Sequence, residues 1–449
     1  MDPRKADRTP WLVAFLFAIL MYSINHDFSL PIAEPHAIIL TEKVIEEGSM
    51  LRRVTFVGLA VLGFGLLAGY RHKWRIHGFV GGAFIAYLLW ITASIGWSQD
   101  AFTTLKRVGT VACLCAGAAG LARHYSGAAI VKLVVATAGL LLAIGFVSAL
   151  WFGTFQPWQP GFRFGGTLAP NATGLLASLF CIGALALTLY DPRRKSRYWA
   201  LFIVGLGIVV LTGSRSSLAG ACVGLFVFSL LSWSRERKAF VMLFGACAAC
   251  ALFFAYGDLI AGTLWDGLLL GRGTEAKITL TGRIPLWEQL LVMAEQKPWQ
   301  GAGYFSFWTA QAVETVSHGQ DWQIESAHSA YMEVLLDLGI IGLTLYCLTL
   351  FGATCIAYQR FRTRREPLDL FWLMLLVIIA VAGCLESIVP GYPGYWLQFV
   401  AFAGLWRLVF IDDRTIYLPA RRVRSGFSRR AVSWKTADRP DPPLPATRG

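Results

Sequence analysis

Apolar residues run through this chain in long unbroken stretches, not in the alternating or one-sided patterns of a water-soluble fold. The stretches lie near 11–30, 51–70, 77–97, 107–122, 129–152, 168–190, 198–213, 216–232, 239–256, 329–358, 368–388 and 393–411. Each reads as a helix crossing the ~30 Å hydrocarbon core of a bilayer. Only structures that satisfy their own backbone groups cross lipid, and continuous runs favour helices over a closed barrel. The pattern predicts an all-α polytopic membrane protein with about 12 transmembrane helices.

The polar positions between these runs alternate in charge. Arg71/Lys73/Arg75, Arg123, Arg193/Arg194/Lys195/Arg197, Arg235/Arg237/Lys238 and Arg360/Arg362/Arg364/Arg365 fall in every second loop. The intervening loops are acidic or nearly neutral, the first carrying Asp27, Glu34, Glu42, Glu46 and Glu47. Basic loops stay on the cytoplasmic side, so both termini are expected there and the odd-numbered loops outside. The first apolar run follows Arg4, Lys5 and Arg8 as in a signal peptide. Asn25, His26 and Asp27 come where small residues would mark a cleavage site, so it reads as an uncleaved span.

Two segments break the span-and-loop rhythm, which divides the chain into 1–10 (cytoplasmic N-terminus), 11–256 (spans one to nine), 257–328 (a large outer loop), 329–411 (spans ten to twelve) and 412–449. The last is a basic, proline-containing tail with Arg421, Arg422, Arg424, Arg429 and Arg430, expected to be disordered against an anionic leaflet. Structureless loops as long as 257–328 are uncommon unless functional. Within it Ile284, Trp287, Leu290/Leu291 and Ala294 recur at helical spacing, which predicts a short amphipathic helix lying on the membrane or on the bundle.

Composition agrees: only 15% of residues are charged, against about a quarter in soluble domains. The formal net charge of +13 would suit nucleic acid, but its confinement to short loops marks membrane orientation, so no nucleic-acid partner is expected. All nine cysteines lie inside apolar runs. Cys247-Ala-Ala-Cys250 lacks a second pair, so neither disulfide nor metal is expected, and the thiols read as small buried hydrophobes. Gly301-Ala-Gly303 has no preceding strand, and Gly271-Arg-Gly-Thr274 has no phosphate-loop lysine; neither is a nucleotide site. No cofactor is expected.

Candidate chemistry begins where charge placement breaks its rule. Arg163 (in Gly161-Phe-Arg-Phe-Gly-Gly166), Arg215 (in Thr212-Gly-Ser-Arg-Ser-Ser217) and Arg283 (in Gly282-Arg-Ile-Pro-Leu-Trp287) all fall on the outer side, as does Arg272. A lone arginine there snorkels to lipid phosphate about as often as it binds a ligand. Several together suit a diphosphate, whose oxygens the guanidinium fork matches in pairs. His328 opens the tenth span, in Glu325-Ser-Ala-His-Ser-Ala-Tyr331. Imidazole is the usual general base near neutral pH, although a single histidine at a helix start is more often only a headgroup-level residue. Glu333 and Asp337 follow one turn apart on the same face, Asp337 ~13 Å from His328 along the helix. An ionisable group at that depth lines a cavity or pairs. Glu386, near the outer end of the eleventh span, is a weaker candidate of the same kind.

These residues carry a resemblance. His328-Ser329, nine residues, then Gly339-Ile-Ile-Gly342 is similar to the H-[NS]-x9-G-x-x-G pattern of the bacterial O-antigen ligase/polymerase family. Gly282-Arg283 with Trp287, and Pro298-Trp-Gln-Gly301-Ala-Gly303-Tyr304, look like that family's large periplasmic loop. The turn at Ser214-Arg215 and the stretch from Arg163 to Pro170-Asn171 resemble two further segments. The resemblance implies an inner-membrane glycosyltransferase that takes a glycan from undecaprenyl diphosphate on the periplasmic face. The acceptor would be a hydroxyl on lipid A-core (ligases) or on a growing polysaccharide (polymerases). His328 would assist deprotonation of that hydroxyl. Arg215 and Arg283, with Arg163 as a third, would hold the diphosphate, with Asp337, Glu333 and Glu386 in support and membrane lipids around the prenyl tail. No metal is implied, because guanidinium groups take a cation's electrostatic role. Protein-O-glycosylating members of the family carry a sizeable soluble C-terminal domain, for which the tail here is too short and polar. Leu385-Glu-Ser387 and that tail lean toward the exopolysaccharide branch as much as toward true ligases. The rival readings are a transporter or flippase for an anionic or lipid-linked saccharide, with Asp337 as proton site, and a non-catalytic scaffold; no internal repeat supports the transporter.

Overall fold

A computed structural model describes residues 11–25, 50–68, 72–74, 78–159, 161–232, 283–318, 324–390 and 394–416. Helix dominates: α1 (Trp11–Asn25), α2 (Met50–Ala68), α3 (Gly78–Ala93), α4 (Ala101–His124), α5 (Gly127–Trp151), α6 (Pro170–Tyr190), α7 (Lys195–Leu211) and α8 (Arg215–Ser232) precede α9 (Arg283–Ala294) and α10 (Ala310–Ser317). They are followed by α11 (Ala330–Arg364), α12 (Pro367–Ala382) and α13 (Tyr395–Leu405), the last continued by a π turn over Trp406–Phe410. Among the described residues seven helices are long and apolar enough to cross a membrane, with α12, the 395–410 stretch and part of α1 as shorter apolar helices. Eleven of the twelve expected ranges fall on these helices; the range 239–256 lies outside the described residues, as do the N-terminal segment 1–10, most of the basic tail and the first acidic loop.

Local sequence sets the helix ends. Asp100 caps α4 by accepting from the Thr103 N–H, Ser126 caps α5 through Ala129, and Ser329 caps α11 through Met332. Pro170 and Pro367 stand in the first turns of α6 and α12, where no N–H is needed. In lipid, helices associate by close packing more than by hydrophobic burial. Accordingly α2 and α4 meet through Gly63, Gly117 and Gly120, where a Cβ would collide with the facing backbone or with Leu59. Helices α6 and α12 form the enclosed centre, with α5, α7, α8, α11 and α13 packed around them.

The bundle has two distinct ends. At one, Arg407 at the end of α13 reaches the Ala122 and Tyr125 carbonyls at the end of α4, and Arg360 of α11 reaches the Arg407 and Leu408 carbonyls. Here β1 (His72–Trp74) pairs antiparallel with β2 (Ile411–Ile416). Residues 412–416, assigned from sequence to the tail, therefore lie in a strand. The opposite end gathers the starts of α6, α8 and α11 and the turn after α12. Helix α8 begins there and ends at Ser232, ~27 Å away at 1.5 Å per residue.

Gly339 changes the reading of α11. Its φ of 65° and ψ of −169° break the helix into a segment Ala330–Leu338 and a longer one from Ile340 to Arg364. The chain from Pro298 to Phe305 lies in this break. Pro298 O accepts from Ile340 N–H at 2.8 Å, and the Ala302 and Gly303 N–H groups donate to Leu336 O and Asp337 O at 2.9 Å. A Cβ at Gly339 would strike the Trp299 backbone. Asp337 consequently belongs to the short segment and not to the long span, contrary to the depth inferred from an unbroken helix.

The expected helix in the long loop is α9, lying against α11. Leu290, Trp287 and Ala294 pack inward as the spacing predicts, together with Leu286, whereas Leu291 is 46% exposed. The hydrogen bond from Trp287 Nε1 to the Ala327 carbonyl holds this face inward. With Phe307, Val316, Ala327 and Leu336 the two buried leucines form a small core apart from the main one. Each is worth about 1.5–3 kcal/mol where the alternative is water.

Candidate functional site

Three helix starts meet on one carboxylate oxygen. Glu386 Oε1 accepts from Asn171 Nδ2 in the first turn of α6 at 3.0 Å and from the Ser216 hydroxyl in the first turn of α8 at 2.8 Å. The guanidinium of Arg283, first residue of α9, lies 4.0 Å from the same atom. Helix N-termini carry unsatisfied N–H groups and the positive end of the helix dipole, so their convergence favours an anion.

Arg163 joins the cluster one contact away. Its NH2 donates to Asn171 Oδ1 at 2.6 Å and its Nε to the Thr212 carbonyl at 3.1 Å. Gly213 leaves room for it: a Cβ there would lie 3.2 Å from Arg163 Cγ, and its φ of 58° suits glycine. The serine-rich turn is tied down as well, Ser217 Oγ donating to the Asn171 carbonyl at 3.3 Å and standing 2.9 Å from Ser214 Oγ. Arg215 is the first residue of α8, next to Ser216, and is half-buried.

Arg283 and Arg163 both act on the Glu386 carboxyl, yet burial, the larger influence, raises its pKa above its ordinary value despite them and the nearby donors. The Arg283 and Glu386 side chains keep 20% and 14% of their surface exposed, so a ligand can reach them. The cluster is held partly out of water, where electrostatic attraction is stronger than on an open surface.

His328 stands beside Arg283. Burial first, then the Arg283 charge, push its pKa down to about 4, so the ring is neutral at physiological pH. Its Nδ1 lies 3.5 Å from the Ser326 hydroxyl, and its φ of 49° is left-handed. Two residues downstream, the Ala330 N–H points at the Gly383 and Glu386 carbonyls at 2.8 and 3.1 Å, which seats the histidine segment on the turn that carries Glu386.

The structure thus gathers Arg163, Arg283, Glu386 and His328 at one end, with Arg215 adjoining. Glu333 is fully buried and bound to the backbone before His328. Asp337 is not part of the cluster; its Oδ2 accepts from the Phe305 N–H at 2.9 Å and anchors the loop in the Gly339 break. Sequence reasoning weighed Glu386 too lightly and left out Asn171 and Ser216 as site residues. The signal for both was position: each is the second residue of a helix starting on the arginine-bearing side. Among the described residues no group of three or more histidine, cysteine or acidic side chains is arranged to hold a metal.

Fold and cluster define a multi-span helical membrane protein with an arginine-bearing polar cluster at one end of its bundle. Residues 200–347 match the family model described as O-Antigen ligase (Wzy_C). The chain is also similar to the exopolysaccharide production protein ExoQ of Rhizobium meliloti (strain 1021), 26% identical over 282 residues. That match covers 57% of this chain and 62% of the relative's length. The two matches support an O-antigen ligase/polymerase family for this protein; neither supports a transporter.

Proposed function

We propose that this protein transfers a glycan from undecaprenyl diphosphate to an acceptor hydroxyl at the periplasmic face of a bacterial inner membrane, with both termini in the cytoplasm. The observation that carries this reading is the meeting of side chains from three helix N-termini, Arg283 among them, at Glu386, with a neutral imidazole beside Arg283. The diphosphate of the donor sits among Arg163, Arg215 and Arg283, and the prenyl tail lies along the lipid-facing helices. The acceptor oxygen attacks the anomeric carbon, the carbon–oxygen bond to the diphosphate breaks, and the hydroxyl proton passes to His328. The guanidinium groups stabilise the charge that grows on the departing diphosphate, the task a metal cation performs elsewhere. The similarity to an exopolysaccharide production protein favours a growing polysaccharide over lipid A-core as the acceptor.

Burial is the larger cause of the low His328 pKa; diphosphate binding at Arg283 offsets the smaller, electrostatic part, so the donor raises the pKa of the base it needs in that measure. Reconstitution in proteoliposomes with an undecaprenyl-diphosphate-linked glycan and candidate acceptors tests the reading. The expected result is release of undecaprenyl diphosphate together with an extended glycan, in the presence of a chelator. Glycan that only crosses the bilayer, with no diphosphate released, would replace the transferase with a flippase.

A further inference from the structure

The Glu333 carboxylate, fully buried, joins distant parts of the chain. Its Oε1 accepts from the Ala327 N–H at 2.7 Å and from the Ser387 hydroxyl at 2.8 Å, and its Oε2 accepts from the Trp308 indole N–H at 2.8 Å. Ala327 immediately precedes His328, and Ser387 immediately follows Glu386. One side chain therefore ties the residue before the imidazole to the residue after the hub of the arginine cluster.

The other side of Ala327 is held too. Its carbonyl accepts from Trp287 Nε1 at 2.8 Å, and Trp287 lies about one turn after Arg283 in α9. Between these holds His328 adopts a left-handed backbone, which a residue with a Cβ keeps only where its surroundings over-determine it. Helix capping does not require Glu333, because Ser329 already caps α11. Burying an ionisable carboxyl is costly unless its hydrogen bonds offset the loss of water, and here two of the three join the segments on either side of the site, the third reaching Trp308.

We propose that Glu333 is a positioning residue for glycan transfer, holding the His328 imidazole in register with the Arg283–Glu386 cluster through Ala327 and Ser387. The proposal rests on the reading of His328 as the base. The acceptor hydroxyl must meet His328 and the anomeric carbon together, and a displacement of ~1 Å between them costs on the order of a hundredfold in rate. Glu333 touches neither substrate; it sets the distance between the groups that do.

The test uses the full chain with Glu333→Ala, Glu333→Gln and Ser387→Ala. It reads surface glycan in cells and, separately, binding of undecaprenyl diphosphate to the purified protein. Glu333→Ala is expected to lower glycan at least about tenfold while affinity for undecaprenyl diphosphate stays within about twofold. Glu333→Gln, which keeps an acceptor for Ala327 and Ser387, is expected to restore a large part of the glycan. Ser387→Ala, missing one of three hydrogen bonds, is expected to lose about two- to fivefold. Normal glycan from Glu333→Ala overturns the positioning role. Loss of undecaprenyl diphosphate binding in parallel with glycan also overturns it, since Glu333 would then support the anion pocket and not the base. Normal glycan from His328→Ala overturns the base assignment and this proposal with it, a result separate from either of the others.

Discussion

Both ends of the bundle are rich in arginine, yet the two ends use it differently. At the end that carries the strand pair, Arg407 and Arg360 spend their guanidinium groups on the Ala122, Tyr125, Arg407 and Leu408 carbonyls. Those acceptors lie at helix C-termini or just beyond, where the dipole welcomes a cation. Arg194 there pairs with Asp191 at 3.7 Å, 63% exposed. At the other end Arg163 and Arg283 converge, with the N-terminal turns of α6 and α8, on the single carboxylate of Glu386. Here cationic side chains and helix N-termini share one carboxylate, whereas at the other end cations meet helix C-termini. The same residue type meets helix C-termini at one end and gathers among helix N-termini at the other; the direction of the helices around it makes the difference.

Substitutions at the two ends sharpen this contrast. The largest effect is expected from His328→Ala and Arg283→Ala, each lowering glycan transfer by about a hundredfold or more with the protein still present in the membrane; quantifying surface glycan against immunoblotted protein checks this. Arg407→Ala should reverse the pattern. It leaves buried carbonyls without a charged donor, so stability falls by about 2–3 kcal/mol, while turnover per folded molecule is unchanged; thermal unfolding in detergent alongside an activity assay separates the two. Asn171→Ala and Ser216→Ala remove single neutral bonds to Glu386 and should cost only about three- to tenfold in transfer.

The pH profile offers a subtler check. The free protein's His328 has a pKa near 4, so kcat/KM should hold from neutral pH down to that region instead of falling at 6.5. The acid limb of kcat should lie higher, because bound diphosphate offsets Arg283. Stability follows the same sign: the unfolded chain protonates this histidine at 6.5 and the folded one only near 4. Its contribution is therefore complete above 6.5 and is lost as pH falls between those values.

Much of the fold was legible because apolar run length decides a membrane span almost alone. The site was legible in part. Arg163, Arg215 and Arg283 stood out as charges on the unexpected side, and His328 as an imidazole at the start of a span. What they meet was hidden, because Glu386 reaches Asn171 and Ser216 across 215 and 170 residues of sequence. Asp337 was misread because hydropathy runs smoothly through Gly339, while the backbone does not: only the steric demand of the Pro298–Phe305 loop reveals the break. The choice between Leu290 and Leu291 in α9 was hidden for a similar reason. Leu290 and Leu291 are equally apolar, and the hydrogen bond from Trp287 to Ala327 favours the face that buries Leu290.

The unequal use of charge is tested most directly by titrating purified protein with undecaprenyl diphosphate. The account predicts that Arg283→Ala weakens binding by at least about tenfold, the worth of one charge-assisted contact, while Arg194→Ala at the opposite end leaves it unchanged. Equal affinities for wild type and Arg283→Ala, or equal losses at both ends, would contradict it.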